Sequence, residues 1–237
     1  MNHNSIVHSI ASHVTLAQEL QQYCTASYIM GETNSLSGGG ASGLSNVFGA
    51  ALWVVDYALW QATQNIQRVH FHQSATSPYA AWSPSTNPPV TNAPYYGNVM
   101  VASAVGLGAG TRIAWLDLEN GDERTSAYVV YEGMSLKRVV VLNMVEWRSD
   151  SGVPRSNSTF TFDVPQGIAG ARVERLTAPG AEVLEGITLG GVSYDYYPAE
   201  GKPVVVNSDA ANEMEFVEKG MLSVVLQDTE CVILHIF

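Results

Sequence analysis

The 237-residue chain carries 11 basic against 22 acidic side chains, a formal net charge of -11, with 46% hydrophobic and 14% charged residues. That charge has the wrong sign for holding phosphate backbones or anionic lipid surfaces, so neither nucleic acid nor a membrane is an expected partner. The apolar fraction is enough for a buried core, and the longest apolar stretch, 48–60, is interrupted by Asp56 and falls short of the roughly 20 residues of a membrane span.

Taken in chain order, Met1-Asn2-His3-Asn4-Ser5 has neither a positive n-region nor an apolar h-region, so no secretory signal is read there. Residues 14–20 read as a helix and 28–32 as a short strand. After a Gly-rich loop, Leu44, Val47, Phe48, Ala51, Leu52, Val55 and Leu59 recur at spacings of three and four. This predicts an amphipathic helix with Ser42 or Ser45 as its N-cap. Residues 68–72 read as a second strand, with Arg68, His70 and His72 on one face and Val69 and Phe71 turned toward the helix layer. Helix, strand, Gly-rich loop, helix, strand is the order of βα units with parallel strands.

Beyond about Gly106 the pattern changes to short β-rich runs between turn residues, so a domain boundary is expected between Tyr96 and Gly110, giving units 1–105 and 106–237. Eight runs qualify as strands: 112–118, 126–131, 137–143, 159–164, 171–176, 203–206, 221–226 and 231–237. Their spacing predicts an antiparallel β-sandwich, and the fold class is α/β followed by β. The two cysteines, Cys24 and Cys231, are expected as buried free thiols rather than a bridge. An N-glycosylation sequon, Asn157-Ser158-Thr159, lies in a polar stretch that reads as a surface loop.

Chemistry concentrates at Glu32, at the C-terminal end of the first strand and directly before Thr33-Asn34-Ser35-Leu36-Ser37-Gly38-Gly39-Gly40. In α/β barrels that strand end carries the active site, so the carboxylate is a catalytic candidate; the alternative is a loop residue bonded to nearby amides. His70 and His72 have the spacing of a metal pair, but no Asp, Glu or Cys of matching spacing accompanies them. Hydrogen-bonded histidines are expected, with no metal and no cofactor. Trp53 and Trp60 are expected in the core, and Trp82, in a loop, is the one tryptophan considered for stacking on a sugar.

The run Gly31-Glu32-Thr33-Asn34-Ser35-Leu36, then residues 38–45 and 48–57, strongly resembles the nucleophile region of family 79 β-glucuronidases and, more loosely, heparanase. The likeness continues through Val69-His70-Phe71-His72-Gln73, Pro78-Tyr79-Ala80-Ala81-Trp82 and Ala93-Pro94-Tyr95-Tyr96-Gly97 into a β-rich remainder similar to the family's C-terminal β-domain. It implies the last two βα units of a (β/α)8 barrel and a retaining hydrolase whose nucleophile is Glu32. Retention needs a second carboxyl group roughly 5–5.5 Å away. In the family this acid/base comes from an earlier barrel strand in an Asn-Glu context, whereas Asn212-Glu213 here lies late in the β-rich region.

The same resemblance implies that Tyr79 lies beside nucleophile and sugar and that the backbone of Gly39 and Gly40 meets a uronate carboxylate. Asn34 in the motif and His70 on the inward strand face complete the expected substrate-binding set. Ser37 departs from the pattern, standing where relatives often carry a carboxylate-binding tyrosine. The implied substrate is a β-glucuronide or related uronic-acid glycan; family members are often secreted, and oligomeric state is left open. The expected function is that of a family 79 portion without its acid/base, inactive as this chain. The alternatives are a non-catalytic β-sandwich module binding carbohydrate or protein, and a hydrolase completed by a separate chain. Orphaned barrel strands would leave apolar edges exposed.

Overall fold

The computed structural model describes residues 1–108, 110–118 and 121–237, so Ala109 of the expected boundary lies outside the described residues. The chain begins with α1 (His3–Ser9), α2 (Ala11–Tyr23), β1 (Ile29–Thr33), α3 (Phe48–Thr63) and β2 (Arg68–Phe71). It continues through β3 (Trp82–Ser83), β4 (Val90–Thr91) and α4 (Ala93–Val105). The β-rich part comprises β5 (Thr111–Leu116), β6 (Thr125–Glu132), β7 (Ser135–Asn143), β8 (Asn157–Asp163) and β9 (Gly170–Thr177). It ends with β10 (Thr188–Leu189), β11 (Val192–Ser193), β12 (Val204–Val205), β13 (Met214–Phe216), β14 (Met221–Gln227) and β15 (Glu230–Ile236).

A nine-stranded sheet runs in the order β12-β11-β10-β9-β15-β7-β6-β5, with β13 also paired to β9; the pairings between these strands are antiparallel. Both its faces are covered. On one side α3 and α4 pack through Phe48, Leu52, Val55, Leu59, Tyr96 and Met100 against Tyr128, Val140, Leu142 and Ile233. On the other, the antiparallel ribbon β14-β8 packs Phe162, Leu222, Val224 and Leu226 against Val139, Val141, Val173, Val232 and Leu234. The sequence carries this difference: β7 is buried from Val139 to Asn143 without a break, the signature of a strand covered on both faces. In β14, exposed Met221, Ser223 and Val225 alternate with buried Leu222, Val224 and Leu226, the mark of a strand covered on one.

All eight β-rich runs form strands, and the sheet-on-sheet packing agrees with the antiparallel layers expected. The short strands β10, β11 and β13 are not marked by the pattern because two or three residues are too few to show alternation. The helices differ more. Instead of being amphipathic, α3 is buried nearly all round, since its second face meets Met30, Val69 and Phe71 through Trp53 and Tyr57. It also starts at Phe48 rather than near Leu44. The N–H groups of Phe48 and Gly49 donate to the carbonyls of Val183 and Ala181, both at 2.9 Å, so the β-rich part caps the helix. The hydroxyl of Ser45 instead accepts from the N–H of Ala41 at 3.1 Å.

Apolar periodicity marks neither α1 nor α4, and α2 extends beyond 14–20 at both ends. The helix α4 ends at Val105, just before the position where composition shifts, and shares a core with the sheet. Ile6, Ile10 and Ala17 of the first two helices pack with Met30, Tyr57 and Ile66, covering the pair β1-β2 from the helix side. Among the described residues β1 and β2 pair only with each other, in parallel, and Ile29 is 45% exposed. Cys24 and Cys231 are both free; Cys231 is buried, but Cys24, just past the end of α2, is exposed, contrary to expectation. Among the described residues no helix is long and apolar enough to cross a membrane.

Asp56, which interrupts the longest apolar stretch, is wholly buried on α3. Ser126 Oγ and Tyr128 OH each donate to Asp56 Oδ1 at 2.6 Å, and His3 Nδ1 lies 2.9 Å from Oδ2. One carboxylate therefore ties α1 and α3 to β6.

Candidate active site

The position of Glu32 follows from an irregularity in β1. Met30 is buried against the helices, while Thr33 Oγ1 shares a 2.8 Å hydrogen bond with Tyr57 OH of α3, so both residues face the helix layer. Strict alternation would send Glu32 to the side of Met30. The register pairs Met30 with Val69 and Thr33 with Phe71, three steps on β1 against two on β2. The extra residue is a β-bulge, which returns Thr33 to the helix face and leaves Glu32 exposed.

Beyond the bulge, the carbonyl of Thr33 accepts from the N–H of His72 at 2.9 Å, and Asn34 Nδ2 donates to the carbonyl of His72 at 3.1 Å. The ring of His72 in turn shares a 2.7 Å hydrogen bond through Nδ1 with Tyr79 OH. Asn34, His72 and Tyr79 thus form one connected group across the ends of the two parallel strands. Gly38, Gly39 and Gly40 all have left-handed backbones, with φ of 72°, 93° and 85°. At Gly40 a side chain is also excluded by space, since a Cβ would stand 2.9 Å from Ser45 Oγ and 3.0 Å from the backbone nitrogen of Tyr79.

A cleft of about 590 Å³ lies alongside β1, between it and α1, α2 and α3. Glu32, Asn34, Ser35, Trp53 and Tyr57 line it, and Glu32 is the one carboxylate among its lining residues. Trp53 stacks on Tyr57 with ring centroids 4.5 Å apart. Burial pushes the Tyr57 phenol up, against hydrogen bonds to Thr33 and Gln61 that lower it, so it remains a neutral donor. A second cavity of about 340 Å³ shares Met1, Ser35 and Trp53 with this cleft and reaches Glu146, Arg148 and Glu182 of the β-rich part.

Of the residues singled out in the sequence, Glu32 and Asn34 line the cleft together. Tyr79 joins that end of the sheet through His72, and Gly39 and Gly40 pack against Ser77, Ser45 and Tyr79. His70 is exposed beside Arg68 and is not among the lining residues, while Val69 and Phe71 face the helices as expected. Trp82 is in strand β3 rather than a loop, 6.1 Å from the ring of Tyr196. Sequence reasoning left out His72 as a site residue, although period two sets it beside His70. It also left out Tyr57 and Arg148, which reach the cleft region through long-range packing that no local signal records.

The fold is one found in glycoside hydrolases. The structure aligns over 99% of its length with 49% of a 4-O-α-L-rhamnosyl-β-D-glucuronidase from Fusarium oxysporum 12S, TM-score 0.82 at 24% identity. It aligns over 99% with 48% of an arabinofuranosidase, TM-score 0.60 at 9% identity. More narrowly, residues 127–233 match the glycosyl hydrolase family 79 C-terminal beta domain. It is 42% identical over 230 residues to a β-glucuronidase of Aspergillus niger, covering 90% of this chain and 42% of that protein. To a β-glucuronidase of Neurospora crassa it is 33% identical over 238 residues, covering 86% and 43%. The chain therefore spans less than half the length of these curated relatives.

Proposed function

We propose that this chain is the nucleophile-bearing C-terminal portion of a retaining β-glucuronidase, with Glu32 as the nucleophile and the acid/base carboxyl contributed from outside these 237 residues. In this reading β1, α3, β2 and α4 are the last two βα units of a (β/α)8 barrel, and the β-rich part is its C-terminal domain. The observation that carries the proposal is the bulge at Glu32, which leaves a carboxylate exposed at the end of a parallel strand, in the lining of a cleft that holds no second carboxylate. Retention requires a carboxylate to attack the anomeric carbon and a second to protonate the leaving oxygen, and lack of the second commonly costs on the order of 10²–10⁴-fold.

The substrate class is a β-glucuronide or related uronic-acid glycan. Support comes from the names of the relatives, β-glucuronidases, and from the neutral donors at this end of the sheet: the Tyr79 phenol, the Asn34 amide and the unshielded amides of Gly39 and Gly40. His70, exposed on β2, would reach substrate only from the barrel interior. A free-standing binding module is the weaker reading, because likeness to the A. niger enzyme extends over 90% of the chain rather than its β-rich part alone.

The test is a chimera in which the portion of the A. niger relative preceding the match is joined to this chain. Hydrolysis of an aryl β-glucuronide that disappears in Glu32→Gln is the expected result. Full activity in the Glu32→Gln chimera would remove Glu32 from the mechanism.

A further inference from the structure

Among the described residues, the ribbon β14-β8 leaves one face and one edge of the β-rich part open. Its outward face carries Asn157, Thr159 and Thr161 of β8 opposite Gln227, Val225 and Ser223 of β14. Val225 is 47% exposed and Met221, further along, 42%. Among the described residues β8 pairs only with β14, and a groove of about 680 Å³ runs along its other side between Ser158–Asp163 and residues 116–118, 121, 122 and 125. An uncovered edge strand offers its backbone N–H and C=O groups to another chain and invites edge-to-edge association.

Asn157 is the first residue of this edge strand, exposed, on the same outward face as Thr159, and it opens the sequon Asn157-Ser158-Thr159 with no proline at either following position. The sequon, expected in a surface loop, instead starts a strand and is preceded by the exposed segment 149–154. We propose that Asn157 is an acceptor for N-linked glycan when the chain is translocated, and that the glycan shields the open edge and outer face of the β14-β8 ribbon. The donor is a polyprenyl pyrophosphate-linked oligosaccharide. Asn157 Nδ2 forms the bond to its anomeric carbon, the bond from that carbon to the pyrophosphate oxygen breaks, and the lipid pyrophosphate leaves as an amide proton is released.

Exposure at Asn157 and Thr159 leaves room for the acceptor segment to be drawn away from β14 while the chain enters the lumen. Once attached, a glycan at the start of β8 lies over Val225, the cross-strand partner of Thr159, and across the approach to the groove. A bulky, hydrated group there does the work that charges or prolines do on other edge strands.

The experiment is cell-free translation of the full chain behind a cleavable signal sequence, with microsomes, reading the mass of protease-protected product before and after endoglycosidase. The expected result is one glycan on the wild type, absent from Asn157→Gln and from Thr159→Ala. Protected wild-type chain with unmodified Asn157 would overturn the proposal. Glycosylated and enzymatically deglycosylated chains are then compared by sedimentation: greater self-association after deglycosylation is expected, and identical behaviour would remove the shielding role.

Discussion

Tyr128 OH donates a 2.6 Å hydrogen bond to Asp56 Oδ1, joining the central strand layer to a helix through two wholly buried side chains. Burial, the Asp56 charge and this bond together push the Tyr128 phenol well above its ordinary value, so it stays a donor. Tyr128→Phe should lower stability by about 1.5–3 kcal/mol, the worth of a hydrogen bond to a charged group, as read from the urea midpoint. Asp56→Ala, which strands Ser126 and His3 as well, should cost more than Tyr128→Phe.

Helix contact gives a second prediction. At Gly97 of α4 a Cβ would stand 2.6 Å from the carbonyl oxygen of Ala51 and 2.8 Å from Val54 Cβ, so the two helices touch backbone to backbone there. Gly97→Ala should force them apart and destabilise the chain by about 1–3 kcal/mol despite the better helix propensity of alanine. A lowered thermal midpoint checks it; an unchanged or raised one would mean the helices are not held at this spacing.

The pH dependence of stability has a specific source at Glu174 of β9. Burial alone raises its carboxyl, but hydrogen bonds from His235 at 2.7 Å and Ser103 at 2.6 Å outweigh that and hold it below its ordinary value. A carboxylate depressed in the folded state contributes stability above its unfolded value and loses it as pH falls through the folded one. Unfolding by urea should therefore become easier between about pH 5 and pH 3, and Glu174→Gln should flatten that acid limb. Equal slopes in the two proteins would assign the acid sensitivity elsewhere.

The chain's β-rich half was readable because its signals are local. Alternation in 221–226 and the unbroken β-branched run within 137–143 distinguish a strand covered on one face from one covered on two. The helical part was harder. Its α3 looks amphipathic only if Ala50, Val54 and Asp56 are set aside, and its start depends on carbonyls at 181 and 183, more than a hundred residues away. The motif around Glu32 carries the resemblance to family 79, and the bulge that leaves Glu32 exposed has one local sign, Gly31 inside the strand, which does not by itself fix where the extra residue falls. Nor does spacing reveal that Asp56, an apparent flaw in an apolar run, is satisfied by Ser126 and Tyr128 of the following layer.

The loop after Glu32 supplies a fourth prediction. Gly40→Ala combines a left-handed φ with contacts to Ser45 and Tyr79, so it should shift Tyr79 and weaken its bond to His72. In the chimera with the preceding portion of the A. niger relative, this variant should lose activity while Gly43→Ala, whose Cβ meets open space, loses less. Equal losses would detach the loop geometry at Gly40 from the site.

The most direct measurement is the rate of aryl β-glucuronide hydrolysis by these 237 residues alone, set beside that of Glu32→Gln. A nucleophile with neither its partner acid nor the remaining strands of the proposed barrel around it predicts no difference between the two above the uncatalysed background. Turnover by the wild-type chain that Glu32→Gln abolishes would show that the chain holds a complete active site, and would contradict the account.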